Sequence, residues 1–331
     1  MLIKKLFLII FINSLIIAYD NTNIIDATHH NLSQKVIATS KYIDDSLYCI
    51  FDNKNEKKSM KKKTDEIDRF YKNDKFIDET DDSFVRLRLQ SNHQSLSESS
   101  FNFNLRAYLS LPKVKKNIKL FIEDVNKDNF KDLPFSTSDN EESAMAVGIS
   151  YFTPSYYGID SKYSIGMRGI YPYTKARYKK EFIYNNYSIE PIQSFIYSTK
   201  YKFKEETNLY IDKKLKNKDL FRIRLARSTN SEKSGMDYSL ALQYFYLLKK
   251  DIGINFTQSF SGNTNYTYIK DEKTIEYKNI NTYNTQISFR QSIWKKWFSY
   301  EIRPGIDFQK KNNFKINYKI LFLTDFYFGN I

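Results

Sequence analysis

FNFNLRAYLSL, residues 101–111, alternates apolar and polar side chains along nearly its whole length. Because successive side chains of a β-strand point to opposite faces, Phe101 and Leu105 fall on one face and Arg106 falls on the other. SFVRLRLQ, residues 83–90, repeats the pattern with alternating aliphatic residues and arginines. An apolar face opposite a charged face is typical of a transmembrane β-barrel, in which the apolar face meets lipid.

The rest of the chain repeats such segments, each about ten residues long, between turn signals. We predict an all-β fold, a transmembrane antiparallel up-and-down β-barrel that occupies residues 83–331. Short basic turns alternate with longer polar loops such as 262–279, as in outer-membrane barrels. An irregular hairpin near 187–198 would reduce the strand number to twelve. The fourteen predicted strands are 83–90, 101–111, 117–124, 143–153, 162–171, 174–184, 187–198, 204–214, 218–228, 236–248, 250–261, 280–293, 297–309 and 314–328.

Two prolines, Pro191 and Pro304, lie inside predicted strands. Proline cannot donate a ladder hydrogen bond and is normally confined to edge strands and bulges. A closed barrel has no edge strand, so we predict a bulge or bend at each proline.

The first 82 residues differ from the barrel region. Residues 1–18 carry two lysines ahead of a short apolar run and a small residue, which predicts a secretory signal peptide. Residues 19–82 predict a short amphipathic helix, capped at Asn31, followed from Asp52 by a charged, solvated linker. This helix either lies in the periplasm, which we favour, or folds into the barrel mouth as a plug.

Composition excludes several classes of function. The net charge of +14 is spread over a chain rich in Lys, Asn, Ile and Tyr, and no basic nucleic-acid-binding motif concentrates it. The single cysteine, Cys49, cannot form an intramolecular disulfide. We find no phosphate loop, dinucleotide fingerprint or paired-cysteine motif, so we predict no cofactor.

The charged face predicts the lining of the barrel. Arginines outnumber carboxylates on it, and a water-filled path along such a wall would favour anions. The same residues could instead hold the wall together through ion pairs. The residues predicted to line the lumen are Arg86, Arg88, Arg106, Arg168, Arg177, Arg222, Arg224, Arg290, Glu301, Arg303 and Asp307.

Few residues suggest other chemistry. His93 neighbours Ser91, Ser95 and Ser97, but nothing in the sequence orients its imidazole as a general base, and we predict no catalytic residues. The carboxylates of residues 124–142 lack the calcium-loop pattern, so we predict no metal site.

The last strand resembles the C-terminal recognition strand of bacterial outer-membrane proteins, since Phe322, Phe326 and Phe328 share one face. That resemblance implies recognition by the barrel-assembly machinery, although three residues follow the last aromatic residue.

Five segments of the barrel region, with the signal peptide, helix and linker that precede them, resemble a family of uncharacterised proteobacterial outer-membrane proteins. This family has no established activity to transfer. The segments are FVRLRL (84–89), NLRA (104–107), LSLPK (109–113), SIGMR (164–168) and IRPGI (302–306).

We therefore predict a porin-like channel, passive or gated and with a mild anion preference, in the outer membrane of a Gram-negative bacterium. Its expected contacts are membrane lipid and lipopolysaccharide, with small solutes or ions inside. Two alternatives stay open: a sealed surface barrel without transport, and a lipid-modifying enzyme that depends on His93.

Overall fold

The computed structural model describes residues 22–48, 66–71, 83–112, 117–124, 145–200, 202–215, 219–232, 235–270, 273–293 and 297–330. The predicted signal peptide and almost all of the carboxylate-rich loop lie outside these ranges. Helices α1 (Thr22–Tyr48) and α2 (Glu66–Tyr71) precede the sheet. The strands are β1 (Phe84–Gln94), β2 (Ser100–Ser110), β3 (Ile118–Asp124), β4 (Met145–Phe152), β5 (Ile159–Arg168), β6 (Tyr171–Lys180), β7 (Phe182–Tyr184), β8 (Tyr187–Ser198), β9 (Lys202–Lys214), β10 (Leu220–Asn230), β11 (Met236–Lys249), β12 (Ile252–Asn263), β13 (Tyr266–Lys270), β14 (Lys273–Tyr277), β15 (Ile280–Ile293), β16 (Phe298–Gln309) and β17 (Ile316–Gly329).

The main sheet is antiparallel and closed. Its strands pair in chain order, and β1 also pairs with β17, from Phe84 opposite Gly329 to Gln94 opposite Lys319. β6 and β7 both pair with β8 in one register, so they are two parts of a single strand. The described residues therefore form a closed barrel of fourteen strands, which confirms the predicted fold and strand number.

The ladder is interrupted near both prolines, but the register does not change. β6 ends and β7 begins opposite Pro191, which stays in register with Leu209 of β9. Pairing between β15 and β16 is interrupted at Pro304, which remains opposite Ile320 of β17. The prediction of a bulge at each proline is wrong, since the register is the same on both sides of each proline. Proline has no N–H to donate to the ladder, so pairing is lost locally, while the strand on its other side maintains the register.

Three further expectations are corrected by the structure. The predicted outer loop 262–279 contains the β13–β14 hairpin, whose aromatic and β-branched residues favour extended backbone. Asn31 lies inside α1 and does not cap it. Glu66–Tyr71, which fell in the predicted solvated linker, is a helix with buried side chains.

The barrel has two distinct ends and two distinct faces. We call the end with Phe84 and Gly329 the proximal end and the opposite end the distal end. Along β10, Leu220, Arg222 and Arg224 are buried, and the residues between them are more accessible. The accessible face carries large apolar side chains around the barrel, among them Phe101, Phe103, Ile149, Ile165, Leu225, Phe256, Ile287 and Phe322.

The helices lie at the proximal end. α1 contacts β17, β1 and β2, and α2 packs against buried side chains of β10 and β11. Neither helix that the structure describes has an apolar stretch long enough to cross a membrane.

Candidate lumenal site

The predicted lining residues belong to the buried face of their strands. Arg88, Arg177 and Arg303 are half-buried, and the other eight are buried. A buried charge is costly unless it is paired and hydrogen-bonded. The contacts of these side chains therefore decide what the interior can do, and their lining of a conducting lumen stays a prediction.

One ion network joins the strands at the seam of the barrel. Arg88 donates to both carboxylate oxygens of Asp325, at 2.6 and 2.9 Å. Arg290 donates from Nη1 to Asp325 at 3.1 Å and to Glu301 at 3.2 Å, and Arg303 donates to Glu301 at 2.6 Å. Because these residues lie on β1, β15, β16 and β17, the network connects both sides of the closure between β1 and β17.

Two arginines next to this seam face each other. Arg86 and Arg106 are directly opposite on β1 and β2, and both are buried. Nε of Arg86 has no hydrogen-bond partner among the described residues. Like charges placed directly opposite each other are destabilising in a sheet. The seam therefore carries concentrated positive charge.

A second ion network lies on β9 and β10. Arg222 donates from Nε and Nη2 to the two carboxylate oxygens of Asp212, both at 2.7 Å. Arg224 donates to the amide oxygen of Asn208 at 3.0 Å. The Tyr210 ring is close to both guanidinium groups, with its centroid 5.4 Å from that of Arg222 and 5.3 Å from that of Arg224. Cation–π attraction of this kind holds an arginine in place without neutralising it.

α2 docks on the second network through a carboxylate. Nη2 of Arg222 lies 2.9 Å from Oδ1 of Asp68 and donates to Oδ2 at 3.2 Å. Both side chains are almost fully buried, so this ion pair is shielded from water. Arg222 thus shares its guanidinium between Asp212 of the wall and Asp68 of α2.

Apolar contacts hold the same helix against the wall. Ile67 and Tyr71 of α2 form a buried cluster with Leu220 and Phe245, and the Tyr71 and Phe245 rings meet edge to face with centroids 5.1 Å apart. Gly253 of β12 leaves the room that α2 needs. A Cβ atom there would lie 2.7 Å from the Phe70 ring and 2.9 Å from the Tyr71 hydroxyl.

Tyr71 brings α2 close to the first network as well. Burial raises the pKa of the Tyr71 phenol, and the Glu301 carboxylate raises it further, whereas Arg290 and Arg303 lower it. α2 therefore extends across the inner wall from β10 toward β16, between the two ion networks.

Aromatic side chains form a second buried group in the interior. Phe84, Tyr108 and Tyr327 form a buried cluster with Phe121 and Tyr173. Because these residues come from β1, β2, β3, β6 and β17, they occupy the side of the barrel away from α2.

α1 lies along the proximal rim. His29 donates from Nε2 to the carbonyl oxygen of Tyr327 at 2.7 Å, and its ring stacks on Trp297 with centroids 4.3 Å apart. Further along, Ser40 donates to the carbonyl oxygen of Ser110 at 2.9 Å. Polar side chains therefore contribute contacts that hold α1, and its amphipathic apolar pattern did not reveal these contacts.

His93 and the aromatic residues of the last strand lie on the accessible face. Ser91 Oγ is 2.9 Å from His93 Nε2, and Ser99 Oγ is 3.0 Å from Nδ1. Among the described residues, no carboxylate contacts the imidazole. The His93 ring lies edge-on to Phe322, which shares its face with Phe326 and Phe328. The pair Ser91 and His93 is thus on the outside of the barrel, away from both ion networks.

Sequence reasoning missed the residues that dock α2. Its six residues lie in a segment dense in charges, a composition that predicts a solvated linker. A signal was present, because Ile67, Phe70 and Tyr71 have the spacing of one helical face. No cluster of His, Cys, Asp and Glu suited to a metal occurs among the described residues.

No protein-family model and no curated protein sequence matches the chain. The chain is similar to several solved porin structures. A KdgM porin in complex with disordered oligogalacturonate is 9% identical, with a TM-score of 0.36, over 73% of this chain and 98% of that one. The anion-selective porin from Comamonas acidovorans is 7% identical, with a TM-score of 0.43, over 74% and 98%. OccK5 from Pseudomonas aeruginosa is 8% identical, with a TM-score of 0.44, over 75% and 97%. At these identities and TM-scores, the similarity carries no inference about what this chain does.

Proposed function

We propose that this protein is a porin-like channel of the outer membrane of a Gram-negative bacterium and that it prefers small anions. The observation that carries the proposal is the excess of cationic side chains, arginine and lysine together, over carboxylates on the buried face of a closed barrel. Guanidinium groups stay charged at any accessible pH, so they offer fixed positive charge along the path. The apolar side chains on the accessible face support a position in lipid.

The interior contents support a gated rather than a permanently open path. A barrel of about sixteen strands leaves an aqueous channel, and one of about eight is filled by its own side chains. This barrel lies between the two, so α2 and the aromatic cluster decide how much of the path stays open. Because α2 belongs to no strand, it can leave while the wall remains intact.

The proposal is tested by single-channel conductance in a planar bilayer under a KCl gradient. The mature chain, without residues 1–18, is compared with a chain that also lacks residues 19–82. We expect rare openings in the first and steady, anion-selective steps in the second. Heat-modifiable migration on a gel establishes that each barrel has folded.

Absence of conductance in both folded proteins would contradict a channel and favour a sealed surface barrel.

The lipid-modifying alternative has a separate test, in which lipid turnover by the protein is compared with that by His93→Ala. Unchanged turnover in the variant would remove the hydrolase hypothesis, since no other imidazole lies in the barrel sequence.

A further inference from the structure

The wall of β9 and β10 resembles a binding site that α2 already fills. Arg222 is held by Asp212 from its own wall, yet it also receives Asp68 from a separate segment. Without α2, Arg222 would lose the carboxylate of Asp68 and keep that of Asp212, while the neighbouring guanidinium group of Arg224 donates to the uncharged amide of Asn208. The wall would then present a positive charge that an anion can satisfy.

The groups that α2 supplies define what such an anion would look like. Asp68 brings a carboxylate to Arg222, and Tyr71, three residues later, brings an aromatic ring to Phe245. Departure of the helix would free a cation and an aromatic surface that are close to each other, because Phe245 also lies 5.6 Å from the Arg222 guanidinium. A small carboxylate attached to a ring matches both features.

α2 is also suited to being displaced. It has six residues, and an isolated helix shorter than about 12 residues is marginal in water. Its folding therefore depends on the contacts with the wall. A solute that takes over the contact with Arg222 removes part of what keeps the helix folded.

We propose that Arg222, Arg224, Tyr210 and Phe245 form a binding site for small ring-bearing carboxylates, which Asp68 and Tyr71 occupy in the resting state. Binding of such a solute competes with Asp68 and releases α2 from the wall. This inference rests on the proposed channel, since release of α2 would open the path for the solute.

Hydrogen–deuterium exchange of the intact mature protein in detergent tests this inference without any conductance measurement. The exchange rate of the peptide that covers residues 66–71 reports whether α2 is docked. Sodium benzoate is the probe; benzyl alcohol supplies the ring without the charge, and sodium acetate at equal ionic strength supplies the charge without the ring. We expect benzoate to increase the exchange rate in a saturable manner, acetate to do so weakly, and benzyl alcohol to have no effect.

A matched pair of variants tests the role of the carboxylate. Asp68→Asn removes the charge that meets Arg222, and Glu66→Gln removes one charge from an exposed position of the same helix. Hydrogen bonds to charged groups are strong enough that Asp68→Asn should increase exchange of residues 66–71 roughly tenfold. Glu66→Gln should increase the rate much less than Asp68→Asn does.

The outcomes separate this inference from the proposed function. Unchanged exchange in saturating benzoate, or equal rates in the two variants, would overturn the binding site even if the barrel conducts. Release of α2 by benzoate from a barrel that never conducts would support the site and contradict the channel. An equal response to benzoate and acetate would overturn the preference for a ring.

Discussion

Arg290 shows how single residues hold the interior together. It is among the most buried large side chains, and it donates to Glu301, Asp325 and Ser299. Arg290→Ala would leave two buried carboxylates each with one cation fewer. Removal of one partner of a buried ion pair typically costs about 3–5 kcal/mol, so we expect the variant to unfold at clearly lower urea concentration in detergent.

The control for this prediction is an ion pair on the accessible face. Arg227 donates to Glu205 at 2.7 Å, and the two side chains are 48% and 28% exposed, compared with 2% and 3% for Arg290 and Glu301. An exposed pair contributes about 0–1 kcal/mol, so Arg227→Ala should hardly move the urea midpoint. Equal shifts in the two variants would show that the buried network does not stabilise the barrel.

The sequence predicts these residues only in part. Strict alternation is enough to place Arg290 and Asp325 on the same face of their strands, because the side-chain period of a strand is two. It is not enough to pair them, since β16 lies between β15 and β17 in the sheet. Contact across an intervening strand depends on side-chain length and on the curvature of the closed wall.

At the scale of elements, the contacts that hold α1 can be tested by substituting two neighbouring histidines, one in contact with the rim and one exposed. His29 bonds to the Tyr327 carbonyl and stacks on Trp297, whereas its neighbour His30 is exposed. We expect His29→Ala to speed hydrogen exchange of the backbone of α1, because the helix loses its attachment to the rim. His30→Ala should have little effect, and a faster exchange in both variants would point to a general loss of helix stability.

A substitution in the barrel wall should also displace α2. In Gly253→Ala, the new Cβ atom would clash with the Phe70 ring and the Tyr71 hydroxyl. We expect faster hydrogen exchange of residues 66–71 while the barrel keeps its heat-modifiable migration. Ser261→Ala, on the buried face of the same strand toward its distal end, is the control. Unchanged exchange in Gly253→Ala would mean that α2 adapts its position within the barrel.

The two helices also show why elements outside the barrel were hard to predict. The strands repeat a local two-residue period, so each of them can be recognised alone. α2 has only six residues, and its key partner Arg222 lies 154 residues further along the chain. No local pattern encodes that contact, and propensity alone assigns such a charged segment to solvent.

At the scale of the whole molecule, a closed barrel turns one face of every strand into a shared interior. In the proposed channel, the charges of that interior would act together on an ion inside, because a path with low-dielectric walls concentrates the field. The sequence predicts this architecture well, since alternation, strand number and the parity of turns all agree. It cannot predict how full the interior is, which depends on α2 and on the aromatic cluster around Tyr108.

The charge of the interior leads to a last prediction, made for the chain without residues 19–82. Arg86→Gln combined with Arg106→Gln removes two buried positive charges that face each other. We expect the reversal potential in a KCl gradient to shift toward cation preference. Lys213→Gln combined with Arg227→Gln removes the same charge from exposed positions and should leave the reversal potential unchanged. Equal shifts in the two double variants would mean that net charge outside the barrel, rather than a wall of arginines inside it, sets the selectivity.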